Sequence, residues 1–120
     1  MITRLDIINF TRLCILDYVI SDKCIDVQSA LFEEYRLCGR ENIIKLLNVI
    51  EDFIVKGCPI KYIKEYVLVG NDIKVVETVE VDVGKNIRIF MRIDEKGVKH
   101  VKIYTSELRH FLRTVLGVVK

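Results

Sequence analysis

Little in this chain points to catalysis or to a metal. Only two histidines are present, His100 and His110, and both lie far in sequence from the four cysteines, Cys14, Cys24, Cys38 and Cys58. Those cysteines are spaced 10, 14 and 20 residues apart, with no C-x-x-C pair, so the usual zinc-ligand spacings are missing. There is no G-x-x-x-x-G-K-[ST], G-x-G-x-x-G or H-E-x-x-H motif. No metal, no cofactor and no enzymatic activity are therefore expected. Neither low-complexity segment, internal repeat nor linker is present. No apolar run is long enough to span a bilayer. The opening Met1-Ile2-Thr3-Arg4-Leu5-Asp6 carries early charges and lacks a secretory pattern, so a cytoplasmic location away from membranes is expected. Free buried thiols follow from that compartment. The alternative is a disulfide of the kind found inside hyperthermophiles, toward which abundant lysine and glutamate and a single glutamine (Gln28) lean.

What the chain has is apolar surface. Hydrophobic residues make up 51% of its 120 residues, enough for one core in a single domain and too many for disorder. The net charge of +2 hides an asymmetry: residues 1–58 and 59–84 each carry −2, and residues 85–120 carry +6. Such a basic end is a modest electrostatic footprint for a polyanion, and ordinary surface lysine that solubilises a hydrophobic sheet is the alternative reading.

Periodicity divides the chain into a helical half, 1–58, and a half made of a sheet and a final helix, 59–120. Three N-terminal helices are expected. The first covers 4–20, although Ile2–Ile8 also fits a strand. A second is capped by Asp22 or Asp26, has Val27, Ala30, Leu31 and Tyr35 on one face, and is stopped by Gly39. The third covers 41–56, with Ile43, Leu46, Leu47, Ile50, Phe53 and Ile54 on its apolar face, and ends at Gly57 and Pro59. Residues 60–69 fit either a helical turn or a strand. Strands at 73–83, 87–93 and 98–104 follow, then a helix from Thr105 or Ser106 with Leu108, Phe111, Leu112, Val115 and Leu116 as its core stripe. Arg109, His110, Arg113 and Thr114 face outward. The expected fold is α+β: three helices, an antiparallel meander of three to four strands, and a C-terminal helix. The helices cover a sheet face made by Ile73, Val75, Val79, Val81, Ile89, Met91, Val101 and Ile103.

The register of the meander follows from loop arithmetic. A three-residue loop, Glu95-Lys96-Gly97, with glycine in the left-handed position, sets Met91 against Val101. The inner pairs are then Ile93–Lys99, Met91–Val101 and Ile89–Ile103, and the outer pairs Arg92–His100, Phe90–Lys102 and Arg88–Tyr104. The loop Gly84-Lys85-Asn86, with asparagine at positive φ, sets Val83–Ile87, Val81–Ile89 and Val79–Met91 inside. It sets Asp82–Arg88, Glu80–Phe90 and Thr78–Arg92 outside. One solvent face thus gathers Arg88, Phe90, Arg92, His100, Lys102 and Tyr104, a basic and aromatic mixture suited to phosphates and unstacked bases. Asp82 opposite Arg88 and Glu80 beside Phe90 oppose that role, and cross-strand ion pairs give a structural reading of the same residues.

Catalytic readings are thin. Ser21, Ser29 and Ser106 have no base nearby in sequence, and His100 with His110 offers only a weak acid–base pair for a phosphodiester. A winged-helix reader is disfavoured because the third helix exposes only Lys45 and Lys56 as basic groups.

The order strand, strand, strand, helix, with Gly84-Lys85, Ile87–Ile93, Val101-Lys102-Ile103-Tyr104-Thr105-Ser106-Glu107 and Phe111-Leu112, resembles the transcriptional coactivator family of positive cofactor four over residues 65–117. That family binds single-stranded DNA on a curved antiparallel sheet and dimerises through its final helix. Its basic, Pro-Gly-rich segment before the last strand is missing here. The helices-plus-sheet layout is also similar to the crenarchaeal ThermoDBP type of single-stranded-DNA-binding protein. The resemblance implies nucleic-acid contacts at Arg88, Phe90, Arg92, Lys102 and Tyr104. The resulting expectation is a module for single-stranded DNA or RNA, with Phe90 and Tyr104 stacking bases. Arg88, Arg92, Lys99 and Lys102 would contact phosphates, beside His100, and Arg109 and Arg113 would extend the track. The competing reading is a protein–protein or accessory module, for instance from a mobile element, in which Phe90, Val76 and Val98 meet a partner or a second copy.

Overall fold

The computed structural model of the chain describes residues 1–31, 33–84 and 86–117, apart from the side chains of residues 114 and 115. Helix α1 (Arg4–Ile20) is followed by strands β1 (Ile25–Ser29) and β2 (Glu34–Leu37), then by helix α2 (Arg40–Val55). Strands β3 (Ile60–Val69), β4 (Asp72–Gly84), β5 (Ile87–Ile93) and β6 (Lys99–Thr105) form a meander. A short helical turn, α3 (Leu108–His110), continues as one π-helical stretch, Phe111–Leu116, and ends at Gly117 with φ 65°. The Lys85 position in the β4–β5 turn and the expected placements of Thr114 and Val115 lie outside the described residues.

Two expectations are corrected. There are not three N-terminal helices: Ile25–Ser29 and Glu34–Leu37 pair as the β1–β2 hairpin. Ile25 and Val27 are fully buried and Asp26 and Gln28 are not, which is strand alternation, and β-branched residues favour it. The Val27, Ala30, Leu31 spacing only imitates a helical face. Gly39, expected as a helix stop, is instead the residue before α2, at φ 92°. Nor is the sheet purely antiparallel. Its six strands run β2-β1-β6-β5-β4-β3, and β1 joins β6 in parallel, with Val27 beside Ile103. A Cys24–Cys38 disulfide closes the open end of the hairpin, one step beyond the Ile25–Leu37 pair. Free thiols remain only at Cys14 and Cys58.

The meander keeps the register set by its turns. All six expected β5–β6 pairs are present. In β4–β5, five of the six are present, from Thr78–Arg92 to Asp82–Arg88, whereas Gly84 rather than Val83 faces Ile87, because the ladder shifts between Asp82 and Gly84. Asn86 has φ 60° and Gly97 φ 79°, the left-handed conformations these turns need. The last helix starts later than expected. Thr105 still belongs to β6, and its hydroxyl accepts the Glu107 N–H at 3.1 Å.

α1 and α2 cover one face of the sheet. Thr3 caps α1, its hydroxyl accepting the Asp6 N–H at 3.1 Å while the Asp6 carboxylate accepts the Thr3 N–H at 2.8 Å. The Arg4 guanidinium donates to the carbonyls of Ile54 (3.0 Å) and Cys58 (3.2 Å), satisfying the end of α2. α2 buries Ile43, Leu46, Leu47, Ile50 and Ile54, each stabilising by about 1.5–3 kcal/mol if fully withdrawn from water. Ile89, Met91, Val79, Val81 and Ile103 form the floor beneath. Ile73 and Val75, expected in that floor, are 71% and 38% exposed, because the β3–β4 ribbon runs on beyond the helices. No helix among the described residues is long and apolar enough to cross a membrane.

Candidate nucleic-acid interface

The face of the sheet away from α1 and α2 is built by the outer parity of β4, β5 and β6. Arg88, Phe90, Arg92, His100, Lys102 and Tyr104, with Thr78, line one open depression of about 530 Å³. Arg88 stands opposite Tyr104, Phe90 opposite Lys102 and Arg92 opposite His100. Phe90 and Tyr104 are diagonal neighbours, packed edge to face with ring centroids 5.4 Å apart. Phe90 is half-buried and Tyr104 exposed. The Lys102 ammonium lies 5.7 Å from the centre of the Tyr104 ring.

The charges are arranged differently from the simple cross-strand expectation. Arg88 reaches diagonally to Glu80 at 3.8 Å. The Asp82 carboxylate instead accepts the Gly84 N–H at 3.0 Å. The Arg88–Glu80 pair is solvated, so it holds the guanidinium by only about 0–1 kcal/mol and leaves it transferable to a phosphate. Among the described residues, Arg92 and Lys102 have no acidic partner within ion-pair distance. Acidic side chains border the stripe on both sides, Glu80 and Asp82 on β4 and Asp26 on β1, the last paired with Arg36 at 3.7 Å. The positive track is thus two strands wide.

His100 is tied to the hairpin turn. Its Nε2 lies 2.9 Å from Asp94 Oδ2, while Asp94 Oδ1 accepts the N–H groups of Lys96 (2.8 Å) and Val98 (2.9 Å). The bond from His100 and then those backbone donors hold the Asp94 carboxyl down to about 2. His110 does not share this depression. It lies in a separate cavity of about 260 Å³ with Arg109, Glu107, Ser106, Glu33 and Ser29, so the two histidines form no acid–base pair. Among the described residues, no three His, Cys, Asp or Glu side chains gather as for a metal.

Six of the nine expected contact residues therefore meet in one place. Lys99 does not: it faces Ile93 on the helix-covered parity. Arg109 belongs to the His110 cavity, and Arg113 is exposed on the last helical stretch. Val76, expected to be exposed on this face, is 2% exposed; Glu65 stands opposite it, with Ile63 and Val67 as diagonal neighbours on the same face. That narrows the apolar patch which a protein-binding reading requires. Sequence reasoning missed the far end of the depression. Arg88 and Tyr104 also line an adjoining cavity of about 380 Å³ with Ser29, Ala30, Asn86, Thr105 and Ser106. Asn86 and Ser106 were visible only as turn and cap residues, and Ser29 arrives through the parallel β1–β6 joint, which leaves no local signal.

No protein-family model matches the chain, and neither does any curated protein or solved structure.

Proposed function

We propose that the outer face of β5 and β6 binds single-stranded nucleic acid. The observation that carries this reading is the convergence of Arg88, Arg92 and Lys102 around the Phe90–Tyr104 pair in one open depression. Aromatic rings stack unpaired bases whatever their identity, and flanking cations take the phosphates. A duplex keeps its bases stacked on each other and offers nothing to Phe90. The residual likeness of residues 65–117 to positive cofactor four belongs to the same proposal and supports the same face. The dimer which that family forms through its final helix is not available here: Leu108, Phe111, Leu112 and Leu116 are buried in this chain's own core. The reading places the protein in the cytoplasm, with its nucleic acid.

Fluorescence anisotropy with a labelled single-stranded oligonucleotide, beside a duplex control, tests it. Three phosphate contacts give a slope of log affinity against log salt of about −2 for a single strand. Preference for the single strand with that slope supports the proposal. Absence of binding at low salt, or affinity indifferent to salt, refutes it.

A further inference from the structure

The sheet is longer than the helical layer that covers it. On the covered parity, Val79 and Val81 of β4 are fully buried, but the ribbon continues to Tyr66 opposite Val75 and Leu68 opposite Ile73. These four are 67%, 38%, 74% and 71% exposed. They form a strand floor on which, among the described residues, no helix lies. α1 presents the converse. Its inner side, with Ile7, Phe10, Cys14, Ile15 and Tyr18, is buried, yet Leu5, Leu13, Leu16 and Ile20 are 64%, 54%, 39% and 83% exposed. A helix with apolar residues on two opposite sides is one normally covered on both. The two patches are neighbours. Ile2, Arg4 and Ile7 of the α1 start line a cavity with Ile60 and Tyr62 at the root of the ribbon, while α2 meets another flank of α1 through Arg12 and Glu51.

We propose that a second copy of this chain covers both patches, the exposed stripe of α1 in each copy lying on the β3–β4 ribbon of the other about a two-fold axis. An isologous interface needs one surface to supply both halves of the contact. This chain has a floor lacking a helix and a helix lacking a floor. Eight large apolar side chains at these exposures present on the order of 800 Å² per copy, which is what one side of a standard interface buries. The interface lies on the opposite side of the sheet from Phe90, so it stands or falls apart from the nucleic-acid reading.

Sedimentation equilibrium at micromolar concentration should give the wild type twice the 14.0 kDa mass of the chain. Leu68→Lys with Ile73→Lys should raise the dissociation constant at least about 100-fold, and Leu13→Glu with Leu16→Glu should do the same from the other side. All four positions are exposed, so circular dichroism should be unchanged. Mixing the two double variants should restore a dimer, because the mixed pair keeps one unaltered contact and sets the introduced lysines against the introduced glutamates. A monomeric wild type, a dimer indifferent to either double variant, or no recovery on mixing overturns the proposal. Flotation of a wild-type monomer with phosphatidylcholine vesicles would assign the face to a lipid surface and overturn it too.

Discussion

Replacing Tyr18 by phenylalanine should cost far more than one surface hydroxyl. β1 pairs with β6 only from Asp26–Lys102 onward, so the first half of β6 has no strand on that side. The Tyr18 hydroxyl fills the gap, donating to the Lys99 carbonyl at 3.2 Å and accepting the buried Val101 N–H at 2.8 Å. A side chain of α1 thus stands in for the next residue of a strand. Removing it leaves the Val101 N–H in a site where water cannot readily replace the partner, at about 1–3 kcal/mol. Taking about 2 kcal/mol, and about 4 °C per kcal/mol for a chain of this size, Tyr18→Phe should lower Tm by about 8 °C. Urea unfolding should show a lower midpoint with an unchanged slope, and hydrogen exchange at Val101 should accelerate. The phenol adds a pH signature. Burial, the main cause, pushes the Tyr18 phenol up, so its contribution is complete below the ordinary tyrosine range and disappears as pH rises through the folded value. Tyr18→Phe should remove that share of the alkaline loss of stability. A variant within 0.5 kcal/mol of wild type would refute the substitution argument, 0.5 being roughly the scatter of ordinary surface changes.

Three further outcomes are expected. Phe90→Ala should weaken single-stranded oligonucleotide binding about 10- to 100-fold in anisotropy titrations while lowering Tm by only a few degrees through loss of the Tyr104 contact, and equal affinity would remove the stacking role. Cys24→Ser with Cys38→Ser should cost about 2–3 kcal/mol by thermal unfolding, because the bond closes a loop of separation 14; a neutral result would mean the β1–β2 hairpin is held by its sheet contacts alone. Asp94→Asn should destabilise the protein at neutral pH. The carboxyl is depressed to about 2, so the difference should persist above the ordinary aspartate range and close as pH falls through about 2; a pH-independent difference would contradict the assignment.

The sequence is most legible where structure is local. The β5–β6 register follows from one odd-length turn with Gly97 in the left-handed region, and once it is set, parity alone assigns Arg88, Phe90 and Arg92 to one face. α2 is readable because its five buried aliphatics recur at helical spacing. β1 is not readable as β6's partner, since a parallel pair has no turn to announce it and the two strands lie at opposite ends of the chain. Without that partner, Val27 and Tyr35 look like a helix face. Ile73 and Val75 alternate as well as Val79 and Val81 do, and nothing local says that the covering layer stops before them. The charge of Lys99 suggests a phosphate contact, but its register opposite Ile93 puts it on the other face, so parity outranks charge within a strand.

The position of β6 also governs when the fold can be completed. It is the last strand in chain order, yet it sits inside the sheet, between β1 and β5. During synthesis the β1–β2 hairpin emerges ahead of α2 and β3–β5, and only after these does its parallel neighbour β6 exist. The meander closes through short loops, which favours speed, whereas the β1–β6 joint is the most sequence-distant strand pairing among the described residues. Chain order therefore predicts two folding phases in stopped-flow refolding, a fast one for the four meander strands and a slower one for docking of β1–β2, and single-exponential refolding would contradict it. A nascent chain that has not reached Thr105 lacks β6 and also the core residues Leu108, Phe111, Leu112 and Leu116, so the apolar faces they cover are open to aggregation.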